Sequence, residues 1–254
     1  MGISNRKKKQ EENFDDFPPI GGLMVSKIVS EEKKKPLFMY REKRTRPEDS
    51  GWRIFSGYES QDYTDNPNNT GIYNPSTILK IDSSIKELLL KGVGSVFERE
   101  NDKSNWYEVE DYELEDDYLT KHKLTEVWTL EINNLFERIK EENGDLLYTT
   151  GDKSLRIAIW NKQGKNRQQI FEEYQKQINN RDESNFKTLS TFDFSDGLIK
   201  RVGYEIEEQE ENKKYSVIYS FSFIDEEILQ MTFYYNNEKD KNWAIETWKK
   251  IRTE

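Results

Sequence analysis

Short apolar runs broken by polar and turn-forming residues dominate this chain, and helical periodicities are few. Gly21-Gly22 opens Leu23-Met24-Val25, and Leu37-Phe38-Met39-Tyr40 follows a polar connection at Glu31 to Lys35. Pro47-Glu48-Asp49-Ser50-Gly51 is a turn cluster. Beyond it Trp52, Ile54 and Ser56 alternate with Arg53 and Phe55, the period of a strand. A second turn cluster, Asp65 to Thr70, closes on Gly71-Ile72-Tyr73. Asp82 or Ser83 is placed to cap a helix through Ile85, Leu88 and Leu89, ended by Lys91-Gly92. Ser95 to Arg99 and Trp106 to Val109 read as closing strands. Helices are too few here for parallel crossovers, so the pattern predicts a curved, mostly antiparallel sheet with one helix.

The second half begins at Val127-Trp128-Thr129-Leu130. Leu146 to Tyr148 and Leu155 to Trp160 flank the turn Thr150-Gly151-Asp152, which predicts a hairpin. Ile170, Phe171, Tyr174 and Ile178 line one face of a helix. Strand patterns follow at Leu198 to Ile206, Tyr215 to Phe223 and Ile228 to Tyr235, and the middle one alternates as if one face is buried. Asn237 to Arg252 reads as a helix carrying Trp243, Ile245, Trp248 and Ile251. The expected fold class is α+β in two domains, the second an antiparallel sheet covered by helices. Glu108 to Asp117 is nearly all carboxylate and aromatic, which disfavours burial. The expected organisation is a disordered tail over 1–19, a first domain over 20–107, an acidic linker over 108–123 and a second domain over 124–254.

Charged residues make up 35% of the chain and apolar ones 33%, a balance that approaches that of disordered segments. The 13 Phe, 14 Tyr and 6 Trp tip it back toward an ordered core, because each aromatic ring buries a large area. A net charge of −10 argues against nucleic acid and anionic lipid as partners and favours a cationic protein. There is no cysteine, which excludes disulfides and thiolate metal sites and fits a reducing compartment. Met1 to Asp16 is charged and has no apolar stretch after it, so it is not read as a secretory signal. No run approaches the length of a membrane span. A cytoplasmic location is expected.

Chemistry is sparse. The one histidine, His122, falls in the acidic linker, away from any evident nucleophile and orienting acid, and is read as a bystander. Gly92-Val93-Gly94 is half of a dinucleotide fingerprint without the rest. Asp62-Tyr63-Thr64-Asp65-Asn66 lacks the remaining ligands of a calcium loop. No cofactor or metal is expected, and no catalytic residue is named. The best site candidate is the aromatic and polar stretch containing Trp52, Arg53, Tyr58, Glu59, Asp62, Asp65, Asn68 and Tyr73. Trp, Tyr and Arg are the usual anchors of protein interfaces. Trp52, Phe55 and Tyr73 fit a packed core equally well.

Several of these blocks occur together in a known order. Gly22-Leu23-Met24-Val25-Ser26, Phe38-Met39-Tyr40-Arg41-Glu42, Asp49 to Gly57, Asn66 to Tyr73 and Val93 to Arg99 resemble the thirty-third catalogued family of immunity proteins from bacterial polymorphic toxin systems. The resemblance covers about 80 residues, from Gly21 to Arg99. It implies a non-catalytic protein that binds and neutralises a cognate toxin, and it transfers no catalytic residues. The second half is vaguely similar in pattern to the α/β/α sandwich of photosystem accessory and lipoprotein domains of the PsbP and DcrB kind. An adaptor or scaffold binding another protein is the alternative, followed by a carboxylate-based enzyme.

Overall fold

The computed structural model describes residues 13–253, apart from 163, 165, 211 and 212. The chain divides between Leu114 and Glu115 into two compact units.

In the first unit β1 (Gly22–Ser26), β2 (Phe38–Arg41), β3 (Asp49–Phe55), β4 (Thr70–Tyr73), β5 (Val96–Glu98) and β6 (Tyr107–Glu108) form one sheet in the order β4-β1-β3-β2-β5-β6. Its ladders are antiparallel except β1 with β3, which run parallel. Short helices α1 (Lys27–Ser30), α2 (Gln61–Thr64) and α3 (Pro75–Leu79) fill the connections. Asn74 caps α3 by accepting from the Ser76 N–H, with Pro75 in the first helical position. The helix expected from Asp82 is instead two 3-10 turns, Ser83–Ile85 and Leu88–Leu90. Asp82 does cap the first turn. Leu23, Val25, Met39, Trp52, Ile54 and Phe97 from the strands meet Ile78, Leu79, Ile85 and Leu89 in the core.

Phe14 is 7% exposed and belongs to this core, with Phe17 and Ile20 packed beside it. Residues 13–19 are therefore not the loose tail that their charge suggested, because two aromatic rings pin them. Residues 1–12 of that expected tail lie outside the described residues.

Gly51 has φ +83, and a Cβ there would lie 2.2 Å from the Glu42 carbonyl oxygen. The obstacle is backbone, held by the Glu42 N–H donating to Gly51 O at 3.0 Å, so it cannot step aside. Gly51→Ala is expected to lower stability by about 3 kcal/mol, from left-handed strain plus the clash. An unchanged urea midpoint would contradict the geometry.

The second unit begins inside the expected linker. Leu119–Lys123 is a strand, β7, paired with β8 (Trp128–Asn133). Alternating polar residues are tolerated there because the strand is an edge with half its side chains in water. β9 (Glu137–Lys140), β10 (Leu146–Thr149), β11 (Ser154–Asn161), β12 (Thr188–Asp193), β13 (Lys200–Glu210), β14 (Lys213–Phe223) and β15 (Glu227–Tyr235) form a seven-stranded antiparallel sheet. Its order is β12-β13-β14-β15-β11-β10-β9. β16 (Arg252–Thr253) joins β8 and β7 in a separate three-stranded sheet.

Helix α4 (Arg167–Asn179) starts in a capping box between Asn166 and Gln169. It sets Ile170, Phe171 and Ile178 against Val202, Phe223 and Ile228. Helix α5 (Glu238–Lys249) sets Ala244 and Trp248 in a larger core with Trp128, Leu130, Met231 and Phe233. β14 was expected to bury one face, yet Ile218, Ser220 and Ser222 are as buried as Phe223. The serines are satisfied in place: Ser220 Oγ donates to Met231 O at 2.8 Å, and Ser222 Oγ accepts from Trp248 Nε1 at 3.0 Å. The architecture is α+β as expected, with predominantly antiparallel sheets.

Candidate functional site

The alternation of β3 decides the fate of the first two candidates. Trp52 points to the helical side and is wholly buried. Its indole N–H donates to Leu89 O at 3.0 Å, and its ring stacks 6.3 Å from Phe97. Arg53 points to the other side but is only 6% exposed. Its guanidinium lies 2.6 Å from Glu42 Oε1 and 2.7 Å from Asp49 Oδ2. Burial works to raise the Asp49 pKa, but the Arg53 and Gly51 hydrogen bonds outweigh it and hold the carboxyl below its ordinary value. Neither Trp52 nor Arg53 is presented to a partner, contrary to the expectation, because strand period and ion pairing draw both inside.

The other candidates lie on the connection from β3 to β4 or on β4 itself. Tyr58 is 66% exposed, with Lys34 Nζ 5.1 Å from its ring centroid. Glu59 turns inward, and its Oε1 accepts from the Ser56 N–H and hydroxyl, both at 2.9 Å. Burial would raise its pKa, but hydrogen bonds from Ser26 and Ser56 prevail and lower it. Asp62 sits exposed in the first turn of α2, behind the cap Ser60. Asp65 is exposed and accepts from Gln61 Nε2 at 2.7 Å. Asn68 is exposed in a 3-10 turn, Pro67–Asn69, capped by Asn66. Tyr73 is half-buried against the core. The exposed surface of this stretch is thus Tyr58, Asp62, Asp65 and Asn68.

A second feature was not singled out in the sequence. Phe38, Tyr40 and Phe55 stand on the sheet face opposite the core, and Tyr112 reaches over them. Tyr112 lies 5.3 Å from both Phe38 and Tyr40, and Tyr40 stacks 6.1 Å from Phe55. Burial and the nearby Glu42 push the Tyr40 hydroxyl up to about 12. The signal was available: β2 and β3 carry large apolar side chains at both parities, Met39 between Phe38 and Tyr40, and Phe55 after Ile54. Tyr112 belongs to the acidic run, so that run is anchored beside the aromatic face.

His122 stands in β7, with Nδ1 2.9 Å from the Tyr148 hydroxyl. Burial pushes that phenol up to about 12 despite the nearby Arg138, so it stays protonated through neutral pH. Among the described residues no group of three or more His, Asp or Glu side chains is placed to hold a metal. No helix among them is long and apolar enough to cross a membrane.

No curated protein matches the chain. Solved structures do. Cyanobacterial PsbP (CyanoP) from Synechocystis sp. PCC 6803 is 7% identical, over 54% of this chain and 94% of that one, with a TM-score of 0.42. A Bacteroides thetaiotaomicron VPI-5482 protein is 11% identical over 50% of this chain and 45% of its own, with a TM-score of 0.38. PA94, a Pseudomonas aeruginosa protein of unknown function, is 16% identical over 52% and 92%, with a TM-score of 0.30. Likenesses at this level say nothing about function. The first unit is another matter: residues 23–110, from β1 through β6 and its flanking turns, match the Immunity protein Imm33 domain, the resemblance that the sequence blocks carried.

Proposed function

We propose that the protein is a non-catalytic immunity protein that binds a cognate bacterial toxin in the cytoplasm and neutralises it. The observation that carries this reading is the match of residues 23–110 to an immunity protein domain. The geometry supports a binding role. The exposed Tyr58, Asp62, Asp65 and Asn68 share one connection, and an aromatic face adjoins a run of carboxylates. Aromatic rings flanked by acids suit a cationic protein surface, through cation–π contact and charge complementarity.

Growth rescue tests the reading. Cells making a toxin encoded beside this gene should survive when the chain is co-expressed, and continued killing by every neighbouring toxin would refute it. The electrostatic part has its own check. Screening lengths fall from about 10 Å at 0.1 M salt to about 3 Å at 1 M. Association with the toxin should therefore slow about tenfold or more over that range, with a smaller change in dissociation. Asp62→Lys with Asp65→Lys should slow association at low salt. Association indifferent to both would confine the acidic surface to solubility.

A further inference from the structure

The sheet of the first unit has two edges, and they are treated differently. β6 is two residues long and runs into carboxylates. β4 is Thr-Gly-Ile-Tyr, without a charge or a proline, and Ile72 is 64% exposed. Edges left this way are templates for another strand. The register shows which backbone groups are on offer. The Gly22 N–H donates toward Glu48 on the β3 side at 2.7 Å. Alternation along β1 then turns Leu23 and Val25 toward β4, where they face Tyr73 and Gly71. The N–H and C=O of Ile72 and the C=O of Thr70 are left pointing outward, while the Thr70 N–H donates to Pro67 O.

Beside this edge lies a cavity of about 530 Å³. Phe17, Pro18 and Ile20 line one wall, and Ile72, Tyr73 and Pro75 line the other. Asp15 is the one charged residue among the lining residues. Asp62 and Asp65 stand on the segment that leads into β4.

We infer that β4 is a strand-addition site: an extended segment of the bound protein pairs its backbone with the N–H and C=O of Ile72 and the C=O of Thr70, and sets a large apolar side chain into the adjoining cavity. Main-chain pairing supplies affinity and the cavity supplies selectivity, as in other strand-addition modules. Asp15 in the lining, with no lysine or arginine among the described lining residues, and Asp62 and Asp65 nearby in sequence favour a segment that carries Lys or Arg beside the apolar residue. The inference deepens the toxin-binding reading and rests on it only for the identity of the partner.

The probe is a labelled seven-residue peptide of alternating Thr and Val, with Phe at its centre and Lys at both ends, titrated against the whole chain. It should bind wild type, and Ile72→Thr should bind comparably because the outward N–H is kept. Ile72→Pro removes that N–H while the inner ladder to β1 stays intact. It should weaken binding about tenfold, the value of one backbone hydrogen bond left unmade. Amide exchange at Ile72 in the wild-type chain should slow when the peptide is bound, a readout that needs no variant to fold. No binding, equal binding by Ile72→Pro, or unchanged exchange at Ile72 would each overturn the inference. A wild-type dimer dispersed by Ile72→Pro would give the edge to a second copy and overturn it too. Peptide binding without growth rescue would discard the toxin and leave the groove standing.

Discussion

Trp52→Ala is expected to destabilise the first unit by about 3–5 kcal/mol, the usual range for truncating a buried aromatic residue. Trp52 has no exposed surface, stacks on Phe97 and satisfies the Leu89 carbonyl. Truncation leaves a cavity between the sheet and the second 3-10 turn and orphans a buried acceptor. Domains are commonly stable by about 5–15 kcal/mol, so the loss is a large share of the total. Urea unfolding followed by a probe in residues 22–108 reads it directly. Trp52→Phe keeps most of the packing and should lose far less. A Trp52→Ala protein with an unchanged midpoint but no toxin binding would make Trp52 a contact residue after all.

Breaking the Arg99–Asp82 pair should be as damaging. Arg99 is 3% exposed and Asp82 4%, and the two side chains are in direct contact. Arg99 Nε also donates to Pro36 O at 2.9 Å, and its guanidinium lies 4.5 Å from the Trp106 ring centroid. One residue thus ties the end of β5 to the turn after α3 and to the entry of β2. Arg99→Met strands a buried carboxylate and should cost about 3–5 kcal/mol. Adding Asp82→Asn removes the stranded charge and should restore part of the loss. If the double variant is no more stable than the single one, the pair matters through packing alone.

Much of this fold was legible because its signals were local. The hairpin around Thr150 to Asp152, helix α4 and strands β13 to β15 follow from turn residues and periodicity within a few positions. What was missed depended on distant partners. β7 reads as a polar linker until Trp128 to Asn133 lies beside it. The parallel pairing of β1 with β3 leaves no local mark, since the two strands are joined through β2 and its turns. The burial of Phe14 is hidden inside a charged stretch. Of the site stretch, polarity marked Glu59, Asp62, Asp65 and Asn68 for the surface; the last three are exposed, but Glu59 turns inward to the Ser56 N–H and hydroxyl. Arg53 was not recognisable as an internal ion-pair residue, because Glu42 and Asp49 become its neighbours only through β2–β3 pairing. The face built from Phe38, Tyr40, Phe55 and Tyr112 needed three separate segments to converge.

The small sheet has a consequence for how the protein is made. Arg252 and Thr253 pair with Thr129 and Trp128, so a strand synthesised early in the second unit waits for one synthesised much later. The ladders of the first unit all close within residues 22–108. At about 5–20 residues per second, the interval between these two events is on the order of ten seconds on the ribosome. During that time the immunity-type unit can fold outside the exit tunnel while its neighbour cannot yet close. The sheet of the first unit is therefore complete in a nascent chain well before β16 is made.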